Sequence, residues 1–237
     1  MPDYPTIATK VCQKYTHQIN VLGILWVGSA AYGISDEFVD IDIRLVTQTS
    51  HKQPMDQFKV DSVKIEVDSI DSSWLTSDLS KSPDTEQFWI RDSSQILFDH
   101  DHHLEKLFKK LNHLPDQIWK NLEWQLFKSL FSSYDFHKST KRNEFITSQM
   151  YVGRVLDTLS KFIFIYHHRA VPTFKWRWYF IKKDQLLDTN HINQLVRSVN
   201  NNDQQFHLLE EIEATAQELM KHHHWPEDQI KEPWRFN

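Results

Sequence analysis

The chain has 237 residues, a formal net charge of −5 at pH 7, and 40% hydrophobic and 13% aromatic residues. This length and apolar content are enough for one large or two small globular domains. The acidic balance disfavours broad nucleic-acid binding, which needs a basic face. The sequence has no apolar run of membrane length, no signal-peptide pattern at its start and a single cysteine, Cys12. We therefore expect a cytoplasmic protein with no membrane partner.

The first two predicted elements are a helix and a buried strand. Apolar residues at four-residue intervals predict a helix over residues 6–19, and the apolar run 24–27 predicts a strand that ends at Gly28. Three of the chain's four glycines fall within residues 23–33. Because glycine permits unusual backbone angles and close approach, Gly28 and Ser29 predict a turn able to hold a phosphate. An ordinary tight turn is the alternative.

The next predicted strand carries two carboxylates. Apolar residues alternate with Asp40, Asp42 and Arg44 over residues 38–46. Residues i and i+2 of a strand share a face, which places the two aspartates about 7 Å apart along the backbone. Like charges this close repel each other, so a bound cation would relieve the repulsion. The pair therefore predicts a metal site.

A third carboxylate lies on another predicted strand, over residues 63–70. Its alternation places Lys64, Glu66 and Asp68 on one face and apolar residues on the other. Taken alone, such a polar face could simply meet solvent at the edge of a sheet. Together with the glycine-serine turn and the aspartate pair, the strand is better interpreted as part of a site, with Glu66 or Asp68 as the third acid.

These residues resemble the catalytic core of the DNA polymerase β nucleotidyltransferase superfamily. The nearest likeness is to its small bacterial branch, the aminoglycoside and lincosamide nucleotidyltransferases, in which a helical bundle follows the catalytic domain. The resemblance implies that Gly28 and Ser29 hold a nucleoside triphosphate. It also implies that Asp40 and Asp42 bind two Mg²⁺ ions and that Glu66, which matches the family's third acid better than Asp68, completes the metal site.

The later elements predict two domains and an α+β fold. Residues 47–57 are interpreted as a loop and residues 71–86 as a loop with one short helix. Residues 94–99 resemble the last short strand of this nucleotidyltransferase type, which implies a small mixed sheet; a buried loop segment is the alternative. Helical spacing begins at Leu104, and Pro115 marks the boundary. We expect a nucleotidyltransferase domain over residues 1–114 and a helical bundle over residues 115–237, with Asp116 capping its first helix. The apolar stripes predict four to five helices over the following parts of the bundle: 116–134, 143–168, 176–180, 191–199 and 203–222.

Two residues of the bundle are candidates for the active site, which the resemblance places in the cleft between the domains. Glu144 could take the proton from an acceptor hydroxyl, although a glutamate at a solvated helix start is the simpler interpretation. Lys175 belongs to a Lys-Trp pair after a proline-containing turn, which resembles a family segment and suggests contact with the triphosphate. A solvated lysine beside packed tryptophans is the alternative.

The expected function is Mg²⁺-dependent transfer of a nucleoside monophosphate, with ATP as the expected donor. The acceptor would be a hydroxyl of a small molecule such as an antibiotic, and pyrophosphate would be released. Nucleic acid is disfavoured as a partner and a homodimer is compatible with the sequence. One alternative is transfer to a protein or RNA end, as in toxin–antitoxin nucleotidyltransferases, which the basic residues Lys138, Lys141 and Arg142 would favour. Another is a nucleotide-binding protein without catalysis.

Overall fold

The chain contains a mixed sheet followed by helices. The computed structural model describes residues 2–34, 39–48, 56–76, 86–111, 114–131, 138, 141–142, 144–188, 190–198 and 202–235. The chain divides into two compact units, Met1–Leu114 and Pro115–Asn237. All strands of the described residues lie in the first unit, and the second is helical in its described parts. The predicted α+β fold is therefore confirmed.

The first unit is built on a five-stranded sheet with the order β3-β4-β2-β1-β5. Its strands are β1 Val21–Val27, β2 Ile41–Thr47, β3 Asp56–Val60, β4 Val63–Asp71 and β5 Gln95–Asp99. Its helices are α1 Tyr4–Gln13, α2 Gly28–Ala31, α3 Ser72–Thr76, α4 Glu86–Ser93 and α5 His103–Leu111. The β2–β4 pair is parallel, whereas β1 pairs antiparallel with β2 and β5, and β3 pairs antiparallel with β4. The sheet is thus mixed, as predicted.

The two faces of the sheet carry separate apolar cores. On one face, alternate residues of β2 and β4, such as Ile43 and Ile65, pack with α1. On the other face, Val46 packs with side chains of α3, α4 and α5. Since strand side chains alternate between faces, Asp42 lies on the same face as Val46. The carboxylate-bearing face is therefore the one whose apolar part meets α3, α4 and α5.

Two sequence-based boundaries of the first unit are corrected. The opening helix ends at Gln13 rather than at residue 19, and Ile19, the last member of the predicted stripe, is 99% exposed. Strand β2 begins at Ile41, so Asp40 stands directly before the strand and not within it. The i, i+4 spacing of apolar residues therefore predicted too long a helix, because the last residue of that spacing contributes nothing to the core.

Two elements of the first unit were not predicted from the sequence. The predicted loop over residues 47–57 overlaps β3, whose apolar alternation consists of Phe58 and Val60 alone and is too short to indicate a strand. Strand β3 forms a hairpin with β4 through Asp61 and Ser62, which both have positive φ. Helix α4 begins at the end of a stretch that had been interpreted as loop, and it is too short for a clear helical period.

The second unit is organised around one long helix. Its helices are α6 Asp116–Leu130, α7 Phe145–Tyr166, α8 Arg177–Lys183, α9 Asn190–Ser198, α10 Asn202–His222 and α11 Glu227–Lys231. Helix α7 packs against α6, α8 and α10. The helical cap is corrected: Pro115, not Asp116, is the N-cap of α6, and Asp116 lies in the first turn, where a carboxylate is favourable. No helix of the described residues is long and apolar enough to cross a membrane.

A buried glutamate joins the helices of the second unit to the segment after α10. Glu123 of α6 is fully buried, accepts a hydrogen bond from the Trp225 indole at 3.1 Å, and lies 3.0 Å from Nδ1 of His223. The His223 ring also stacks on Tyr166 of α7, with 3.8 Å between the ring centroids. A buried polar group without a hydrogen-bond partner lowers the free energy of unfolding. Loss of Glu123, His223 or Trp225 would therefore weaken the contacts of the other two.

We expect Glu123→Ala to lower the free energy of unfolding by roughly 1–3 kcal/mol, since it leaves the His223 and Trp225 donors without their acceptor. Urea denaturation of the full chain measures the change. Glu218→Ala is the matched control, because Glu218 forms an exposed ion pair with Lys221 and its removal should change the free energy of unfolding far less. Equal effects of the two substitutions would contradict a structural role for Glu123.

Candidate active site

Three carboxylates come together where β2 and β4 run side by side. Asp42 and Glu66 are partners in the parallel register, and Asp40 stands directly before β2. Each of the three residues offers a carboxylate oxygen, and these oxygens lie within 4.8 Å of one another. All three are half-buried. The structure therefore brings together the three acids that the sequence singled out.

The glycine-serine turn closes against one of these acids. Val27, the last residue of β1, pairs with Asp42, so the turn begins beside its carboxylate. Gly28 has a φ of +81°, and a Cβ atom at this position would lie 2.0 Å from Oδ2 of Asp42. Ser29 is 7% exposed, and its carbonyl accepts hydrogen bonds from the backbone N–H groups of Tyr32 and Ile34, both at 3.1 Å. Only glycine meets both the conformational and the steric requirement at position 28.

Two side chains of the β3–β4 hairpin hold the Glu66 carboxylate. Gln57 donates a hydrogen bond to Oε1 at 3.1 Å, and the Lys64 ammonium contacts the same oxygen. The pKa of Lys64 is raised, chiefly by its hydrogen bond to Glu66 and further by the charges of Glu66, Asp40 and Asp42. The ammonium thus lies in the field of all three acids and offsets part of their repulsion.

The other candidate for the third acid has a different partner. Asp68 lies opposite Arg44 in the β2–β4 register, with 3.7 Å between the Arg44 guanidinium and Oδ2. Its second oxygen accepts a hydrogen bond from the Ser69 N–H at 2.8 Å. Among the described residues, the group of three acids contains Glu66 and not Asp68. Of the two alternatives left open by the sequence, the geometry favours Glu66.

Tyr32 belongs to this site, although the sequence analysis did not identify it. Ser93 of α4 donates a hydrogen bond to the Tyr32 hydroxyl at 2.9 Å, and the Tyr32 and Trp89 rings lie 4.9 Å apart. The pKa of Tyr32 is raised, chiefly by burial and also by the charge of Asp42, while a hydrogen bond with the backbone of Gly28 opposes the shift. Tyr32 therefore connects the glycine-serine turn to α4. The position of Tyr32 directly after the glycine-serine turn is the sequence feature that could have indicated its place in the site.

The three acids suit a hard divalent cation. Carboxylate oxygens are the ligands that Mg²⁺ prefers. Oxygens that share one Mg²⁺ ion at 2.0–2.1 Å lie at most about 4.2 Å apart. The carboxylate oxygens of Asp40, Asp42 and Glu66 lie within 4.8 Å of one another, which is close to this distance. Small side-chain rotations would therefore bring them to the spacing of ligands on one ion. The chemistry of the donor set therefore fits magnesium.

The remaining two candidates lie in the second unit. Glu144 is exposed, and its backbone carbonyl accepts hydrogen bonds from the N–H and the hydroxyl of Ser148, at 3.0 and 3.1 Å. Lys175 is exposed, and its ammonium lies 5.5 Å from the centroid of the Trp176 ring. These local contacts assign no chemistry to either side chain. Glu144 as a base and Lys175 as a phosphate contact therefore stay predictions.

We expect Gly28→Ala to be more damaging than Gly33→Ala. Both glycines have positive φ, so both substitutions carry a backbone cost of about 1–2 kcal/mol. Only at Gly28 does the new Cβ meet Asp42, because nothing lies within 4 Å of a Cβ at Gly33. Overpacking should add about 1–3 kcal/mol to the loss of unfolding free energy, as measured by urea denaturation. Similar losses for both variants would contradict the close approach of Gly28 to Asp42.

We expect Lys64→Met to tighten the binding of Mn²⁺, used as a spectroscopic substitute for Mg²⁺, by roughly two- to fivefold, because it removes an ammonium that competes for Glu66. Electron paramagnetic resonance of free Mn²⁺ measures the affinity. Lys59→Met is the control, since Lys59 is the neighbour of Lys64 across the hairpin and is also exposed. Equal effects at Lys59 and Lys64 would show that only the overall charge matters.

Comparisons with known proteins support the fold. Residues 82–177 match the model of a family described as a domain of unknown function, DUF4037. No curated protein matches the chain. The crystal structure of a nucleotidyltransferase-like protein from Exiguobacterium sibiricum 255-15 is similar, with 16% sequence identity and a TM-score of 0.53 over 90% of this chain and 74% of that chain. The chain therefore shares the fold of a nucleotidyltransferase-like protein.

Proposed function

We propose that this protein is a Mg²⁺-dependent nucleotidyltransferase that transfers AMP from ATP to a hydroxyl group of a small molecule and releases pyrophosphate. The observation that carries the proposal is the group of Asp40, Asp42 and Glu66 beside a glycine turn that only glycine can form. The similarity in fold to a nucleotidyltransferase-like protein supports the same reaction class.

The proposal assigns a task to each residue of the site. Asp40, Asp42 and Glu66 hold two Mg²⁺ ions, which supply charge neutralisation at the phosphates and activation of the acceptor hydroxyl. Gly28 and Ser29 bind the phosphates of ATP through backbone N–H groups and the serine hydroxyl. On sequence grounds alone, Glu144 is proposed to accept the hydroxyl proton and Lys175 to contact the phosphates.

The acceptor is proposed to be an antibiotic of the aminoglycoside or lincosamide type. The proposal follows from the resemblance of the motifs Gly28-Ser29 and Asp40-x-Asp42 to those of the small bacterial nucleotidyltransferases. A net charge of −5 is also favourable for cationic aminoglycosides and unfavourable for RNA. A cationic acceptor is therefore tested first.

The decisive experiment incubates the full chain with α-labelled ATP and Mg²⁺ and follows the label into a panel of aminoglycosides, lincosamides, proteins and RNA. We expect Asp40→Asn, Asp42→Asn and Glu66→Gln each to lower pyrophosphate release by at least about a hundredfold, because each removes a ligand of the ions that neutralise the phosphates. Asp68→Asn is the control and should keep most of the activity, since Asp68 pairs with Arg44 outside the group.

Two results would contradict the proposal. Unchanged turnover in Asp42→Asn would show that the proposed metal site takes no part in the reaction. ATP that binds with Mg²⁺ but never yields pyrophosphate, with any acceptor of the panel, would instead identify a nucleotide-binding protein without catalysis.

A further inference from the structure

The Lys64 ammonium lies beside the group of three acids. It contacts Oε1 of Glu66, and the charges of Asp40 and Asp42 also act on it. The Lys64 side chain is 48% exposed, whereas that of Glu66 is 20% exposed. Because a lysine ammonium is a compact charge on a flexible stem, it can leave the carboxylate without a change in the backbone. The contact of Lys64 with Glu66 is therefore exchangeable.

Glu66 keeps a second partner when Lys64 leaves. Gln57, which stands opposite Glu66 in the β3–β4 register, donates a hydrogen bond to the same oxygen, Oε1, at 3.1 Å. The Gln57 amide is neutral and does not repel a metal ion at the carboxylate, whereas the Lys64 ammonium does. Gln57 is therefore compatible with Glu66 in the presence and in the absence of ions, and Lys64 fits the ion-free arrangement alone.

Two other cations on the same face of the sheet are placed differently. Arg44 pairs with Asp68, with 3.7 Å between the guanidinium and Oδ2. Lys59 stands opposite Lys64 and is exposed, but it belongs to β3, which lies one strand further from β2. Of these three cations, Lys64 is therefore the one that contacts the group of acids.

The net charge around Lys64 changes sign as the proposed ligands of the site bind. Without ions, the three carboxylates attract the Lys64 ammonium. Two Mg²⁺ ions carry one positive charge more than three carboxylates neutralise, so Lys64 is repelled once both ions are held. The triphosphate of ATP carries more negative charge than this excess, so Lys64 is attracted again when the nucleotide is present. Its new acceptor would then be a phosphate oxygen.

We propose that Lys64 exchanges Glu66 for a phosphate oxygen of the nucleotide when the metal ions and ATP bind. The inference rests on the proposed function, which places the ions at the three acids and the phosphates beside them. Hydrogen bonds between a lysine ammonium and a phosphate are charge-assisted and strong. The exchange also explains why a basic side chain occupies a carboxylate that the ions require. Lys64 is thus a phosphate-binding residue, and its departure frees Glu66 for the ions.

Two affinities of the full chain test the exchange, because it predicts effects of opposite sign. Lys64→Met should tighten the binding of Mn²⁺ alone by roughly two- to fivefold, as measured by electron paramagnetic resonance. In saturating Mg²⁺, the same substitution should weaken the binding of α,β-methylene-ATP, which cannot be cleaved between its α and β phosphates, by roughly three- to tenfold. Calorimetry measures this second affinity. Tripolyphosphate should follow the analogue, and adenosine should be unaffected.

Two further variants separate a local contact from the overall charge. Lys59→Met removes the same charge opposite Lys64 and should change either affinity less than about twofold. Lys64→Arg keeps a cation at the position and should restore most of the affinity for the analogue. Thermal unfolding in saturating Mg²⁺ should give the same melting temperature for Lys64→Met and the wild type, since Lys64 is exposed.

The outcomes for Lys64 and for the proposed function can be separated. Any other combination of signs in Lys64→Met, or equal effects of Lys59→Met, would overturn the exchange. Pyrophosphate release by the wild type with an unchanged KM for ATP in Lys64→Met would overturn it too and leave nucleotidyl transfer in place. Lys64-dependent binding of the analogue without pyrophosphate release from ATP would support the exchange and contradict catalysis. Failure of the analogue and of tripolyphosphate to bind in Mg²⁺ would overturn both.

Discussion

The site depends on the close approach of the Gly28 backbone to the Asp42 carboxylate. The antiparallel register of β1 and β2 pairs Val27 with Asp42. The chain therefore leaves β1 directly beside the Asp42 carboxylate. A residue with a Cβ atom would collide with that acid, and most residues also avoid a φ of +81°. The turn and the acid are therefore a single steric unit. A side chain at position 28 would therefore displace the Asp42 carboxylate.

Electrostatic repulsion between the carboxylates is the second constraint, and neighbouring side chains of the sheet offset it. Two carboxylates of β4 have polar or basic neighbours: Arg44 pairs with Asp68, whereas Gln57 and Lys64 contact Glu66. Because β2 and β4 are parallel and in register, these partners stand in successive rows along the same face. The row of Arg44 and Asp68 is thus separate from the row of Asp42 and Glu66, where the Lys64 ammonium offsets part of the repulsion.

The sequence predicted those elements in which apolar and polar residues alternate with a clear period. Alternation in β4 was clear because Val63, Ile65 and Val67 are buried, and the α+β fold is confirmed. Strand β3 was missed because its apolar face consists of two residues, Phe58 and Val60, which are too few to give a clear period. The contacts of Tyr32 with Trp89 and Ser93 join residues far apart in the chain, and no local pattern encodes them. The resemblance favoured Glu66 over Asp68, and the grouping of Glu66 with Asp40 and Asp42 and the pairing of Asp68 with Arg44 supply the geometric reason.

The hairpin between β3 and β4 controls which side chain reaches the acids. Gln57 stands opposite Glu66 only because a two-residue connection, Asp61 and Ser62, fixes the alignment of the two strands. A slip of one residue would exchange the faces of β3, sending Gln57 toward the apolar core and Phe58 toward the carboxylates. An inserted residue at this bend would thus replace an amide by a benzyl group beside the Glu66 carboxylate. The length of a surface turn therefore determines which side chain contacts one of the three acids.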